Sequence, residues 1–150
     1  MFVRPLTPAD ALSCDAIIAS LPEWFGMQEG IDECARLVRT QPGLVCERDG
    51  RVIGFLTVAR PSAATAQISW LAVHADERGR GAGTALVERL SADLSAEVVR
   101  LLVVETLSDR EDPGPEYAAT RAFYLARGFT PAAELDLYPD NPIQLMSLRL

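Results

Sequence analysis

Residues 70–90, "WLAVHADERGRGAGTALVERL", constrain the fold of this chain more than any other stretch. An apolar run ends at Val73 and a short polar turn follows. Arg78-Gly79-Arg80-Gly81-Ala82-Gly83 comes next, and an amphipathic pattern starts at Thr84. Leu86, Leu90 and Leu94 recur every four residues with Val87 beside them, which is the period of a helix face. The stretch therefore reads as strand, glycine turn, helix over 84–96. The first-turn N–H groups of such a helix have no intrahelical partner, and the helix dipole adds positive potential there. Glycines let an anion approach the backbone, and two arginines add forked donors. A phosphate site and a solvated turn with glycines for geometry alone both fit these facts. Two familiar phosphate loops do not. The Walker A pattern needs a lysine that is missing here, and the dinucleotide fingerprint needs GxGxxG where this chain has GxGxG.

The rest of the chain frames that turn. Phe2-Val3-Arg4-Pro5 reads as a first strand. Thr7 and Pro8 suit the start of a helix that carries Leu12, Ala16, Ile17 and Leu21 on one face. A second helix is expected with Ile31, Ala35 and Val38 as its apolar stripe, stopping before Pro42-Gly43. Two apolar runs flank Asp49-Gly50, a dipeptide suited to a tight hairpin turn. Residues 66–75 and 98–107 read as strands on either side of the 84–96 helix. Residues 117–128 read as a helix ending at Gly128, with Phe123 and Leu125 on its apolar face. Residues 129–138 and 143–150 are the last strands. The order β-α-α-β-β-β-α-β-α-β-β predicts an α/β fold with a mixed sheet.

Composition narrows the function classes. With 150 residues, 49% of them apolar, the chain suits one domain with a sizeable core. A net charge of −7 argues against a nucleic-acid partner and permits a cationic substrate. No apolar run approaches the roughly 18 residues of a membrane span, and MFVRPLTPAD lacks the apolar core of a signal peptide, so a cytoplasmic protein without a membrane partner is expected. Cys14, Cys34 and Cys46 form no CxxC pair and read as free thiols in a reducing compartment. His74 is the only histidine, so neither a His/Cys metal site nor a Ser-His-Asp triad is expected.

One further pattern fits the turn. Arg78-x-x-Gly81-x-Gly83 resembles the acyl-CoA-binding motif of the GNAT superfamily of N-acetyltransferases, and "LAVHADE" before it resembles the strand that leads into that loop. "TRAFYLARGF", residues 120–129, is similar to the family's later helix, where a tyrosine follows an aromatic and Gly-Phe ends the unit. "LPEWFG" and "NPIQLM" resemble parts of a bacterial branch of small single-domain members, so the likeness spans nearly the whole of residues 1–150. It implies a mixed, mostly antiparallel central sheet of about seven strands flanked by about four helices. It also implies acetyl-CoA as co-substrate, no metal, and acetyl transfer to a primary amine of a small molecule or peptide by direct attack in a ternary complex. By the resemblance, Leu71, Ala72 and Val73 offer backbone groups to the pantetheine arm. Arg78, Gly79, Arg80, Gly81, Ala82 and Gly83 wrap the pyrophosphate, Thr84 adds a hydroxyl, and Arg80 is left between direct contact and solvent. Tyr124 stands where the family has its proposed general acid.

The general base has no such match. Where many members carry a glutamate before the glycine loop, this chain has Ser69 and Trp70. An alkyl ammonium with a pKa around 10 has to lose a proton before it attacks. Glu105, Glu23 and a water chain to a remote carboxylate are the candidates. Glu23, Trp24 and Phe25 are expected to shape the acceptor pocket, with Tyr138 and Asn141 near it. The missing glutamate keeps a second function open, a non-catalytic acyl-CoA-binding sensor or partner module. A hydrolase or oxygen-acceptor transferase is a weaker third. Pairing of edge strands into a homodimer is left open.

Overall fold

The computed structural model describes residues 1–110 and 113–150. Its elements follow the expected order: β1 (Phe2–Pro5), α1 (Ala11–Ala19), α2 (Gln28–Thr40), β2 (Gly43–Arg48), β3 (Arg51–Ser62), β4 (Thr65–Val73), α3 (Ala82–Ala96), β5 (Leu101–Leu107), α4 (Pro115–Ala126), β6 (Thr130–Tyr138) and β7 (Asn141–Arg149). The seven strands form one sheet in the order β1-β2-β3-β4-β5-β7-β6. Only β4 and β5 run parallel; every other neighbour pair is antiparallel.

The two faces of the sheet bury separate cores. Leu86, Leu90 and Leu94 of α3 and Tyr124 of α4 pack with Leu56, Ile68, Leu102 and Val104 on one face. On the other, Cys14, Ile17 and Ile18 of α1 and Cys34 and Val38 of α2 pack with Val45, Phe55 and Ala72. The β2–β3 turn has Asp49 at φ 52° and Gly50 at φ 75°, the left-handed pair expected of a two-residue hairpin.

The inward stripe of α1 differs from expectation. Leu12 is 78% exposed and Ala16 is exposed too, while Ala11, Cys14, Ile17, Ile18 and Leu21 are buried. A 3₁₀ turn at Pro8–Asp10 precedes the helix and sets its rotation. The stripe then runs from Ala11 through Cys14 and Ile18 to Leu21, at steps of three and four. Asp10 fixes that turn. Its buried carboxylate accepts from the Thr7 N–H at 2.9 Å, the Thr7 hydroxyl at 3.0 Å and both terminal nitrogens of Arg4 at 2.9 and 2.8 Å. The Arg4 guanidinium, with the Thr7 donors, outweighs burial and holds the Asp10 carboxyl down at about 2. A carboxyl lowered on folding stabilises the fold above its unfolded value near 3.9, and that support is lost as pH falls through the folded value. Asp10→Ala is therefore expected to cost about 2 kcal/mol at neutral pH. Wild type and variant should converge in urea melts between pH 4 and pH 2.

The main irregularity of the sheet lies in β4. Thr57 pairs with Trp70 and Val58 with Ile68, so Ser69 is an extra residue with no partner on β3. The bulge reverses the alternation. Ala66 and Ile68 face the α3/α4 side, Leu71 and Val73 continue on that side, and Trp70 and Ala72 face α1 and α2. The ladder between β4 and β5 covers only Thr65–Ile68 against Leu101–Val104. Beyond it the two strands part, and the backbone of residues 69–73 presents an unpaired edge toward β5.

Candidate acyl-CoA site

The parted strands open toward the N-terminus of α3. Gly79 and Gly81 have φ 73° and 90°, and Gly81 caps the helix. The first intrahelical bond of α3 runs from the Ala85 N–H to the Gly81 carbonyl at 3.0 Å. The amides of Ala82, Gly83 and Thr84 precede it and are the free donors of the first turn. Gly83 is fixed by packing as well: a Cβ there would lie 3.1 and 3.2 Å from the Phe123 ring. The glycine turn, expected from sequence to present amides, is thus also the seat of α4.

A buried carboxylate anchors the turn. Glu77 meets Arg48 at 2.5 Å, Arg51 at 3.1 Å and Arg80 at 3.4 Å. Burial works against its ionisation, but Arg48, Arg80 and Arg51 together hold it below the usual carboxylate range. The Arg48 guanidinium also donates to the Arg80 carbonyl at 3.3 Å. Arg80 itself is committed to Glu77, with its side chain largely in solvent. Arg78 points elsewhere, its guanidinium 4.1 Å above the ring of Trp24.

On the α4 side, Arg127 donates to the Thr84 hydroxyl at 3.0 and 2.5 Å and to the Phe123 carbonyl at 3.0 Å. Its guanidinium lies 4.4 Å over the Phe123 ring. Thr84 thus already accepts from Arg127 and keeps only its own proton to donate. A groove of about 480 Å³ runs beside this contact, lined by Thr84, Val87, Glu88, Ser91, Arg127 and Leu148 among others.

Tyr124 is 4% exposed and packs edge-to-face on Phe123 and Phe129, with ring centroids 5.1 and 5.2 Å away. The expected apolar face of α4 is corrected here. Leu125 is 51% exposed, Phe123 is half-buried, and Tyr124 takes the core position. Burial pushes the Tyr124 phenol well above the ordinary tyrosine value. Among the described residues its hydroxyl has no hydrogen-bond partner. Such a group is a neutral donor at any working pH and a poor base.

The acceptor candidates form one aromatic patch on the other face. Phe25 lies 5.3 Å from Trp70, the residue after the bulge. The Trp24 indole N–H donates to the Thr120 hydroxyl at 3.3 Å, and the Tyr117 hydroxyl donates to the Trp24 carbonyl at 3.3 Å. Glu23 and Glu105 are both exposed. Tyr138 and Asn141 are exposed and pair across the β6–β7 turn. Sequence reasoning missed Arg127, Glu77, Tyr117 and Thr120. The last two were within reach, because 117, 120 and 124 follow helical spacing on α4. Among the described residues no group of three or more His, Cys, Asp or Glu is set to hold a metal. None of their helices is long and apolar enough to cross a membrane.

The glycine-capped N-terminus of α3 thus adjoins a parallel strand pair whose ladder ends at Ile68 and Val104. The profile of the acetyltransferase (GNAT) domain matches residues 40–131, and the chain belongs to that family. No curated protein matches the chain significantly. Solved structures similar to it include a GNAT-family protein from Desulfovibrio desulfuricans, with a TM-score of 0.85 and 24% identity over 99% of this chain and 98% of that one. A ribosomal-protein-alanine N-acetyltransferase from Brucella melitensis gives 0.72 and 21% over the whole of both chains. A GNAT acetyltransferase from Elizabethkingia anophelis with acetyl-CoA bound gives 0.76 and 16% over 99% and 97%.

Proposed function

We propose that residues 1–150 form one acetyltransferase domain that moves the acetyl group of acetyl-CoA to a primary amine of a small molecule or peptide. The observation that carries this reading is the meeting of three features around Gly83, where a Cβ would lie 3.1 Å from the Phe123 ring of α4 and 3.9 Å from the Leu71 side chain of β4. These are the free amides of Ala82, Gly83 and Thr84, the unpaired edge of 69–73, and Tyr124, the residue after Phe123 in α4. The α3 amides and the Arg78–Gly83 turn hold the pyrophosphate, with Arg80 steadying the turn through Glu77. Leu71, Ala72 and Val73 bond the pantetheine amides as a strand would. The amine enters from the face of Trp24, Phe25 and Trp70.

In the transfer step the neutral amine nitrogen attacks the thioester carbonyl, the C–N bond forms, the C–S bond breaks, and the nitrogen, cationic after the attack, releases its extra proton to water to leave the amide. The departing sulfur gains negative charge, and Tyr124 donates to it. The ammonium proton must leave first. Ser69 and Trp70 have no basic group, so an exposed carboxylate, Glu105 or Glu23, takes it directly or through water. The acidic net charge suits a cationic acceptor.

The test has two arms. Coenzyme A at about 100 times its Kd should stabilise the protein by about 2.7 kcal/mol in thermal unfolding. Absence of any shift would sink the reading. Thiol release across an amine library then reports turnover, and Glu105→Gln and Glu23→Gln show which carboxylate raises kcat at neutral pH. The empty place at Ser69 and Trp70 favours one alternative, an acyl-CoA-binding module without turnover. Binding with no thiol release for any amine would select it.

A further inference from the structure

Of the four arginines around the glycine turn, three share the Glu77 carboxylate: Arg48, Arg51 and Arg80. Arg78 is the exception. Among the described residues no carboxylate reaches it, and its one contact is the face of Trp24 at 4.1 Å. A guanidinium lying on a ring keeps its N–H donors in its own plane, directed away from the ring. Stacking therefore fixes the orientation of Arg78 without using its donors. Trp24 is fixed in turn by Thr120 and Tyr117 of α4, at 3.3 Å each. Its neighbour Phe25 rests on Trp70 of β4. The loop between α1 and α2 thus touches the glycine turn through Arg78, and both walls of the cleft through Trp24 and Phe25.

We infer that Trp24 is a positioning residue. It aims Arg78 at the anion held by the glycine turn, and through this stack the charged end of the cofactor acts on the loop that roofs the acceptor side. This rests on the acyl-CoA reading above. Phosphate oxygens engage the free edge of Arg78, the guanidinium is held harder against the indole, and Trp24 and Phe25 are fixed over the cleft. A ligand that carries the pyrophosphate but no thioester arm orders the roof; a ligand that carries only the arm does not.

The experiment uses ADP, pantetheine and coenzyme A as probes. The sequence has two tryptophans, so in Trp70→Phe the emission comes from Trp24 alone. ADP and coenzyme A are expected to change that emission, and pantetheine is not. In the Arg78→Gln, Trp70→Phe double variant the change disappears. In the native background, Trp24→Leu is expected to weaken ADP about fivefold. The same substitution has no further effect once Arg78 is glutamine, because the two act as one unit. Unchanged Trp24 emission with coenzyme A bound, or additive losses in the double-mutant cycle, overturns the coupling and leaves the acyl-CoA reading intact. No thermal shift of the native protein with coenzyme A overturns both.

Discussion

Tyr124→Phe is expected to lower kcat by about a hundredfold while acetyl-CoA affinity and thermal stability stay at their native values. The three parts of this expectation have separate physical grounds. The stability term is small because the hydroxyl has no partner among the described residues. The ring keeps its edge-to-face contacts with Phe123 and Phe129 in either form. The affinity term is small because, in the proposed mode, the α3 amides hold the pyrophosphate and β4 holds the pantetheine, and neither involves the Tyr124 hydroxyl. The rate term is large because the departing sulfur needs a donor as charge builds on it in the transition state and not in the ground state. Burial sharpens the role. A thiol has a reference pKa near 8.5, and the Tyr124 phenol is pushed well above its own ordinary value near 10, so full proton transfer to the thiolate is uphill. In the proposed mechanism Tyr124 therefore acts by donating a hydrogen bond to the sulfur as charge builds, and the thiol takes its proton finally from solvent.

The same shift fixes the pH profile. A tyrosine acid is active when protonated, so its limb is a loss of rate as pH rises through its pKa. Burial moves that pKa up, hence kcat should show no fall from Tyr124 at any pH below about 10. The rise at lower pH belongs to deprotonation of the amine or its carboxylate base, and it should persist in Tyr124→Phe. A downward limb between pH 7 and pH 9 that vanishes in this variant would show an exposed, easily ionised phenol instead.

Parts of this site were legible because they are local. The left-handed pair Asp49-Gly50, the α3 stripe of Leu86, Leu90 and Leu94, and the glycine turn each express a rule that acts within a few residues. The bulge at Ser69 was not legible, although it opens the cleft. A bulge shifts the phase of inward residues, and here residues on both sides of the shift are apolar: Ala66 and Ile68 before it, then Trp70, Leu71, Ala72 and Val73. With apolar side chains on both faces, the pattern shows no change of phase. The Trp24–Arg78 stack was hidden for another reason. It joins two loops far apart in sequence, and neither has a period. The family likeness points to Tyr124 but not to its burial, since Phe123 and Leu125 read from sequence as the better core residues. The close seat of α4 on Gly83 rotates the helix so that Tyr124 points inward and Leu125 does not.

Gly81→Val is expected to weaken coenzyme A binding at least a hundredfold, more than it weakens the fold. Space is not the constraint, because a Cβ at Gly81 would meet only the Met1 methyl at 3.7 Å. The dihedral is. Gly81 caps α3 at φ 90° and ψ 1°, where an L-residue costs about 1–2 kcal/mol and a β-branched one resists most. The chain can relieve this strain by turning the peptide between Gly81 and Ala82, which carries the first amide of the cradle, and the Gly83 amide follows it. Charge-assisted bonds to a phosphate are worth about 1.5–3 kcal/mol each, so misdirecting two of them exceeds the cost of the strain itself. Gly81→Ala should fall between the native protein and the valine variant in both quantities, since alanine tolerates the left-handed region better than a branched side chain does. Isothermal titration with coenzyme A and urea melts of all three proteins separate the two terms. A folded Gly81→Val protein with native affinity would mean that the anion does not sit on the α3 amides, whatever the turn resembles.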